Sequence, residues 1–349
     1  MVIDLLKRLV AIPSVTGKEE NIATFVFEEL KRQGVNPKRK GDNVWVELGT
    51  GKTPRMLLNS HLDTVPPASE WSFPLYEPFE KDGKIYGLGS NDAKASVASM
   101  ICAALEDWKE TKGRKGTLVL ALTCNEEAGC KGLETVVDDF LPIDGAIVGE
   151  PNGLQICVAQ KGALIYHLCW KGKLSHAAHG SHDNAMQKAI EDLARLYDLK
   201  WEKNDPFLGE SRVEITQVHA GERTNVIPGE VRASLDIRYA PVYEPDEILE
   251  KIGRIIRGEI DVYSDRRCAV HTSPESAIVR AAQRAKPGAP LVGSKTSSDW
   301  VFLKGVPAIK MGPGKTEVSH TADEYIEIDQ LRMAVKVYRD TIREFFQWC

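Results

Sequence analysis

The chain has 349 residues, 42% of them hydrophobic and 27% charged, an ordinary globular composition that excludes a disordered, collagen-like or coiled-coil protein. Forty-five Lys and Arg against fifty Asp and Glu leave a net charge of −5, which argues against a nucleic-acid or anionic-membrane partner. Asp4, Lys7 and Arg8 interrupt the apolar stretch that a signal peptide needs and no segment approaches a membrane span, so the expected location is cytoplasmic.

In chain order, the spacing predicts a helix over 3–10, then Thr16 as the cap of an amphipathic helix over 18–33 with Gly34 behind it. Strands are predicted at 43–48, 55–59, 116–123 and 145–148, with a helix at 95–108 between two of them. Strands alternating with helices imply a doubly wound, mixed but mostly parallel sheet. From Gly162 the texture changes: alternating strands at 163–170, 212–219 and 230–239 are interleaved with helices at 184–199 and 245–257, which suits an α+β domain with an antiparallel sheet. A helix at 274–284, a strand at 307–311 and a closing helix at 328–346 then restore the first texture. The expected organisation is one α/β catalytic domain, residues 1–162 and 271–349, interrupted by a smaller α+β domain at 163–270.

In such a sheet, ligands belong in loops after the carboxyl ends of strands. His61 and Asp63 follow one predicted strand, Glu126 and Glu127 another, and Glu150 a third; Asp92 precedes a helix, and His320 lies near the far end. Singly, each has an ordinary explanation, such as a local His61–Asp63 hydrogen bond or Asp92 as a helix cap. Jointly, His61, Asp92, Glu127, Glu150 and His320 supply five imidazole and carboxylate ligands, a number that suits two divalent ions sharing one carboxylate. A water acidified between two ions attacks a carbonyl polarised by one of them. Glu126, beside a ligand, is placed to carry the proton from that water to the departing amine. Asp63 is expected to accept the other ring N–H of His61 and fix its tautomer.

The seven cysteines, at 102, 124, 130, 157, 169, 268 and 349, form no Cys-x-x-Cys pair, so reduced thiols are expected rather than disulfides or a thiolate cage. Cys124 and Cys130 flank the glutamate pair but read as buried thiols rather than nucleophiles. Gly87 and Gly89 are not completed to a dinucleotide fingerprint, because Asp92 stands where the third glycine belongs.

Together with Thr224 to Pro228, Gly312 to Gly314 and the run from Gly172 through His176, these motifs resemble the dinuclear zinc hydrolase family of aminoacylase, carboxypeptidase G, succinyl-diaminopimelate desuccinylase and acetylornithine deacetylase, in order and along essentially the whole chain. The resemblance implies that Asp92 bridges two ions, most simply zinc with cobalt as the alternative. His61 and Glu150 would complete one site, Glu127 and His320 the other. Glu126 would be the general base, and the peptide after Asp92 would be cis. The inserted domain would act as lid and dimerisation surface, and its His176 would stabilise the tetrahedral oxyanion, in its own or a neighbouring subunit. Asn225, Arg238 and Gly312 would contact substrate, although Arg238 reads equally well as paired with Asp236 or Glu230. Ala95 departs from the family's usual glycine, and His179 and His182 are additional histidines read as exposed loop residues. Asp299 matches a family aspartate that would serve equally as a helix cap. The expected reaction is removal of an N-acyl group from a small amino acid, with N-acetylornithine as the first substrate. N-acetylcitrulline, N-succinyl amino acids, an acylated lysine intermediate and dipeptides are the alternatives.

Overall fold

The computed structural model describes residues 1–68, 70–111, 114–129 and 131–348, so Cys130 and Cys349 lie outside the described residues. By its internal contacts the chain divides into two units: Met1–Val158, Thr272–Val292 and Ser298–Cys349 form the first, Ala159–His271 and Gly293–Ser297 the second.

The first unit is built on a mixed sheet with strands in the order Lys38–Lys40, Asn43–Gly49, Thr117–Thr123, Arg55–His61, Gly145–Val148, Ala308–Lys310, Ile156–Gln160. Its centre is parallel: Arg55–His61 pairs in parallel with Thr117–Thr123 and with Gly145–Val148, which pairs in parallel with Ala308–Lys310. Asn43–Gly49 and Ile156–Gln160 join antiparallel on either side. The central strands are buried at every position, which explains why they read as continuous apolar runs rather than alternating ones. Helix Lys94–Glu110 packs against Val2–Val10 and Ile328–Trp348, and the latter against Ala277–Ala285. Ala95 is fully buried in this layer.

Two local readings change. The strand at 55 continues through Ser60 and His61, so the histidine sits on the sheet and not in a following loop. Helix Glu20–Arg32 begins after Glu19 with no side-chain cap; Thr16 is no cap, because its hydroxyl donates to Asp63 Oδ2 at 2.7 Å.

The second unit has an antiparallel sheet in the order Arg212–Ala220, Glu230–Tyr239, Gly162–Lys171, Glu259–Arg267. Leu164, Tyr166, Leu168 and Trp170 alternate with more exposed residues and pack with Val231, Leu235 and Ile237 under helices Ala185–Tyr197 and Pro245–Gly253. The strand Glu259–Arg267 was not expected from the sequence. It is an edge strand with no fully buried position, and of its side chains Ile260 packs partly against the core, too short an apolar signal to mark it. Among the described residues no helix is long and apolar enough to cross a membrane.

Candidate metal centre

The first unit gathers its polar residues at the carboxyl ends of the parallel strands. His61 ends one strand, in register with Thr123 at the end of its neighbour. Glu126 and Glu127 follow that neighbour through Asn125, whose φ of 56° turns the chain sharply. Glu150 follows Gly145–Val148, and Asp92 lies two residues before helix Lys94–Glu110, with the Asp92–Ala93 peptide cis. His320, at φ 62°, comes from the segment after the short turn Thr316–Val318.

Asp92 stands between two sets of groups. Its Oδ1 is 3.3 Å from His61 Nε2, which is 3.7 Å from Glu150 Oε1. Its Oδ2 is 3.6 Å from His320 Nε2, which is 3.1 Å from Glu127 Oε1. Within each of the trios His61–Asp92–Glu150 and Asp92–Glu127–His320, the candidate donor atoms all lie within 4.8 Å of one another. A third trio, His61–Glu126–Glu127, meets the same limit.

The electrostatics of the cluster call for cations. Burial pushes the Glu150 carboxyl well above its ordinary value, and the nearby Glu126 and Asp92 carboxylates push the same way against His61. Burial opposes protonation of His61, but the Asp63, Asp92 and Glu150 carboxylates outweigh it and raise the ring well above its usual range. His320 is raised to about 9, chiefly by its hydrogen bond to Glu127. Glu150 Oε1 is buried without a hydrogen-bond partner. An orphaned carboxylate oxygen facing a ring nitrogen and a second carboxylate fits a divalent ion coordinated by oxygen and nitrogen.

Asp63 departs from its expected part. The ring Nδ1 of His61 donates to the backbone carbonyl of Asp63 at 3.0 Å, while the carboxylate stands 3.6 Å away. That carboxylate is engaged elsewhere: it accepts the Thr16 hydroxyl and the backbone N–H groups of Glu126 and Glu127, the latter two at 3.0 and 3.1 Å. Asp63 thus orients His61 through its main chain and holds the glutamate turn through its side chain. Glu19, which carried no sequence signal, accepts the Asn125 N–H at 2.9 Å and braces the same turn. Asp299 is no helix cap either. Buried beside the sheet, it accepts the Thr123 hydroxyl at 2.9 Å, and burial pushes its carboxyl up to about 6.

Of the expected substrate contacts, Gly312 lies in the first unit, where its N–H donates to Asn152 Oδ1 at 3.1 Å. A Cβ there would come within 2.5 Å of the Glu150 carbonyl oxygen and of Ser96 Oγ, so glycine is required for the close approach to the turn that carries Glu150. His176, Asn225 and Arg238 belong to the second unit. His176 pairs with Val226 across two short strands, its Nδ1 accepts the Ala178 N–H at 3.1 Å, and Asn225 Nδ2 lies 3.4 Å from its Nε2. The structure thus joins two residues 49 positions apart. Arg238 forms a bidentate pair with Asp236, at 2.6 and 2.9 Å, as one of the two sequence readings expected. His179 and His182 are exposed. Burial raises the Cys102 and Cys124 thiols to about 12, which leaves both poor nucleophiles.

Residues 57–344 match the family described as Peptidase family M20/M25/M40. A succinyl-diaminopimelate desuccinylase of Halorhodospira halophila is 26% identical, over 98% of this chain and 97% of its own. Among solved structures, the aminopeptidase PepT of Bacillus cereus superposes with a TM-score of 0.82 at 21% identity, covering 99% of this chain and 98% of that one. A Bacillus subtilis protein described as a dinuclear metal binding peptidase of the M20 family has a TM-score of 0.74 at 15% identity, covering 97% and 96%.

Proposed function

The chain belongs to peptidase family M20/M25/M40, a family of metal-dependent hydrolases, and we propose that it releases a small amino acid from an N-acyl group at a two-ion centre. The observation that carries this reading is Asp92, whose two oxygens face separate imidazole–carboxylate sets. In the proposed site His61 and Glu150 hold one ion, Glu127 and His320 the other, and Asp92 both; zinc is the first candidate and cobalt the second. Such ions supply Lewis acidity, which lowers the pKa of water and polarises an amide carbonyl.

The chain's own residues do the rest. Glu126 takes the proton from the attacking water and gives it to the leaving amine. Asp63 holds the Glu126 peptide by its N–H, so the base sits on a braced turn. His176, with Asn225 beside it, stabilises the negative charge that develops on the carbonyl oxygen. The second unit serves as lid and dimerisation surface. The edge strand Arg212–Ala220, mostly exposed, and the exposed Val218, Ile190 and Tyr197 support the dimer.

For the acyl group, the relatives favour N-succinyl amino acids, and none of those described above supports the N-acetylornithine expected from sequence. The test is a panel of N-succinyl, N-acetyl and dipeptide substrates at one fixed metal, scored by release of free amine. Preferential turnover of the N-succinyl compounds is expected. Preference for a dipeptide would make the protein a peptidase with the same centre, and no turnover with zinc, cobalt or manganese would refute the enzyme reading.

A further inference from the structure

The Glu324 carboxylate is buried, 2% exposed, and lies outside the proposed ligand set. Its Oε2 accepts the Gly89 N–H at 2.7 Å, and its Oε1 accepts the N–H groups of Asn91 and Asp92, both at 2.8 Å. Its own carbonyl accepts the Gly87 N–H at 3.1 Å and the Ser90 hydroxyl at 3.2 Å. The strand Tyr325–Glu327 brings it there by pairing with Lys84–Tyr86, Tyr325 opposite Tyr86.

The loop answers from its side. Asn91 Oδ1 accepts the Lys315 N–H at 2.9 Å, while its Nδ2 donates to the Lys315 carbonyl and to Ser319 Oγ, both at 3.0 Å. Gly314 makes room for this side chain, since a Cβ there would lie 2.1 Å from Asn91 Oδ1. Two segments more than 220 positions apart are thus tied from both directions, and each carries one of the groups that must meet: Asp92 on one, His320 on the other.

The two halves of the centre differ in what else holds them. His61 sits on a central strand. His320 lies between the short turn Thr316–Val318 and the strand at Tyr325, at φ 62°, in a stretch with no sheet pairing of its own. We propose that Glu324 is a positioning residue: with Asn91 it forms a clamp that fixes Asp92 relative to His320 and so assembles the Asp92–Glu127–His320 ion site. The proposal rests on the two-ion reading above. A carboxylate suits the task because three N–H donors converge on two oxygens. A carboxamide would turn an N–H against at least one of those donors.

Glu324→Gln tests the clamp by calorimetric zinc titration of the metal-stripped protein, read against the melting temperature of the same stripped protein. Wild type is expected to bind two ions per chain. Glu324→Gln should bind the first with affinity close to wild type and the second about 10- to 100-fold more weakly, with the stripped melting temperature little changed. Asn91→Ala, which cuts the clamp from the other side, should give the same pattern more weakly and carries the test alone if Glu324→Gln fails to fold. Two ions bound as tightly as in wild type would overturn the clamp. So would equal weakening of both ions with a lowered stripped melting temperature, which would make Glu324 a general support of the fold. A wild type that binds no ions would instead refute the two-ion centre on which the clamp depends.

Discussion

Asp92 and Asp192 are carboxylates, one in each unit, the first partly and the second fully buried, and their surroundings are opposite in kind. Asp192, fully buried in the second unit, is satisfied by the chain itself: it accepts the Trp170 indole N–H at 2.8 Å, the Arg257 backbone N–H at 2.7 Å and Arg257 Nε at 2.8 Å. Asp92 has the Glu127 and Glu150 carboxylates around it, with the His61 and His320 imidazoles facing its two oxygens. Burying a charge is tolerable only when it is compensated. The second unit compensates with donors fixed in its own sequence, whereas the first leaves a deficit of positive charge that the proposed ions would fill.

This contrast is sharpest when cations are removed. Chelation should abolish turnover and lower the melting temperature, because the ions bind the folded site far better than the unfolded chain. An unchanged melting temperature after complete stripping would show that the carboxylates are already compensated. Glu126→Gln should cut turnover on the order of a thousandfold while zinc content stays at two per chain, since it removes a proton carrier and no proposed ligand. A variant that keeps most of its activity would move the base elsewhere.

His176→Ala brings catalysis into the second unit. A fall in kcat of about 10²-fold, with KM little altered, is expected for a group that acts on the developing oxyanion. Parallel changes in both would make it a binding residue. The smallest effect belongs to the self-satisfied carboxylate: Asp192→Asn should cost about 2 kcal/mol in urea unfolding, because the Arg257 and Trp170 donors lose an ionised acceptor, and should leave metal content untouched. Burial raises the Asp192 carboxyl, but the Trp170 and Arg257 hydrogen bonds outweigh it and hold the group below its ordinary value. A depressed native pKa stabilises above the unfolded value of about 4 and fades as pH falls through the native one. The stability gap between wild type and Asp192→Asn should therefore narrow on acidification below about pH 4. A gap that stays constant to strongly acid pH would show that Asp192 gains nothing from ionisation.

The sequence made the parallel sheet legible because its central strands are buried on both faces and stand out as apolar runs. It missed the edge strand Glu259–Arg267, which has no fully buried position and only a brief apolar alternation at Ile260 and Val262. The residue types of the metal cluster were legible because imidazole and carboxylate at strand ends are rare in combination. The braces were not. Glu19 and Glu324 act by accepting backbone N–H groups from segments 106 and more than 230 positions away, and an acceptor of main-chain donors leaves no mark on those donors' side chains.

By itself, then, the sequence determined the chemical inventory: the residue types that can hold a divalent ion, a glutamate proposed to carry a proton, and the strand–helix alternation that brings them to the strand ends. Only the tertiary structure decided which atoms face each other. It turned the two oxygens of Asp92 to different histidines, gave the His61 ring to a backbone carbonyl instead of the Asp63 carboxylate, and tied the loop of Asp92 to the segment of His320. The physical reason is that hydrogen bonds and coordination depend on positions to within a fraction of an ångström, and packing across the whole chain fixes those positions.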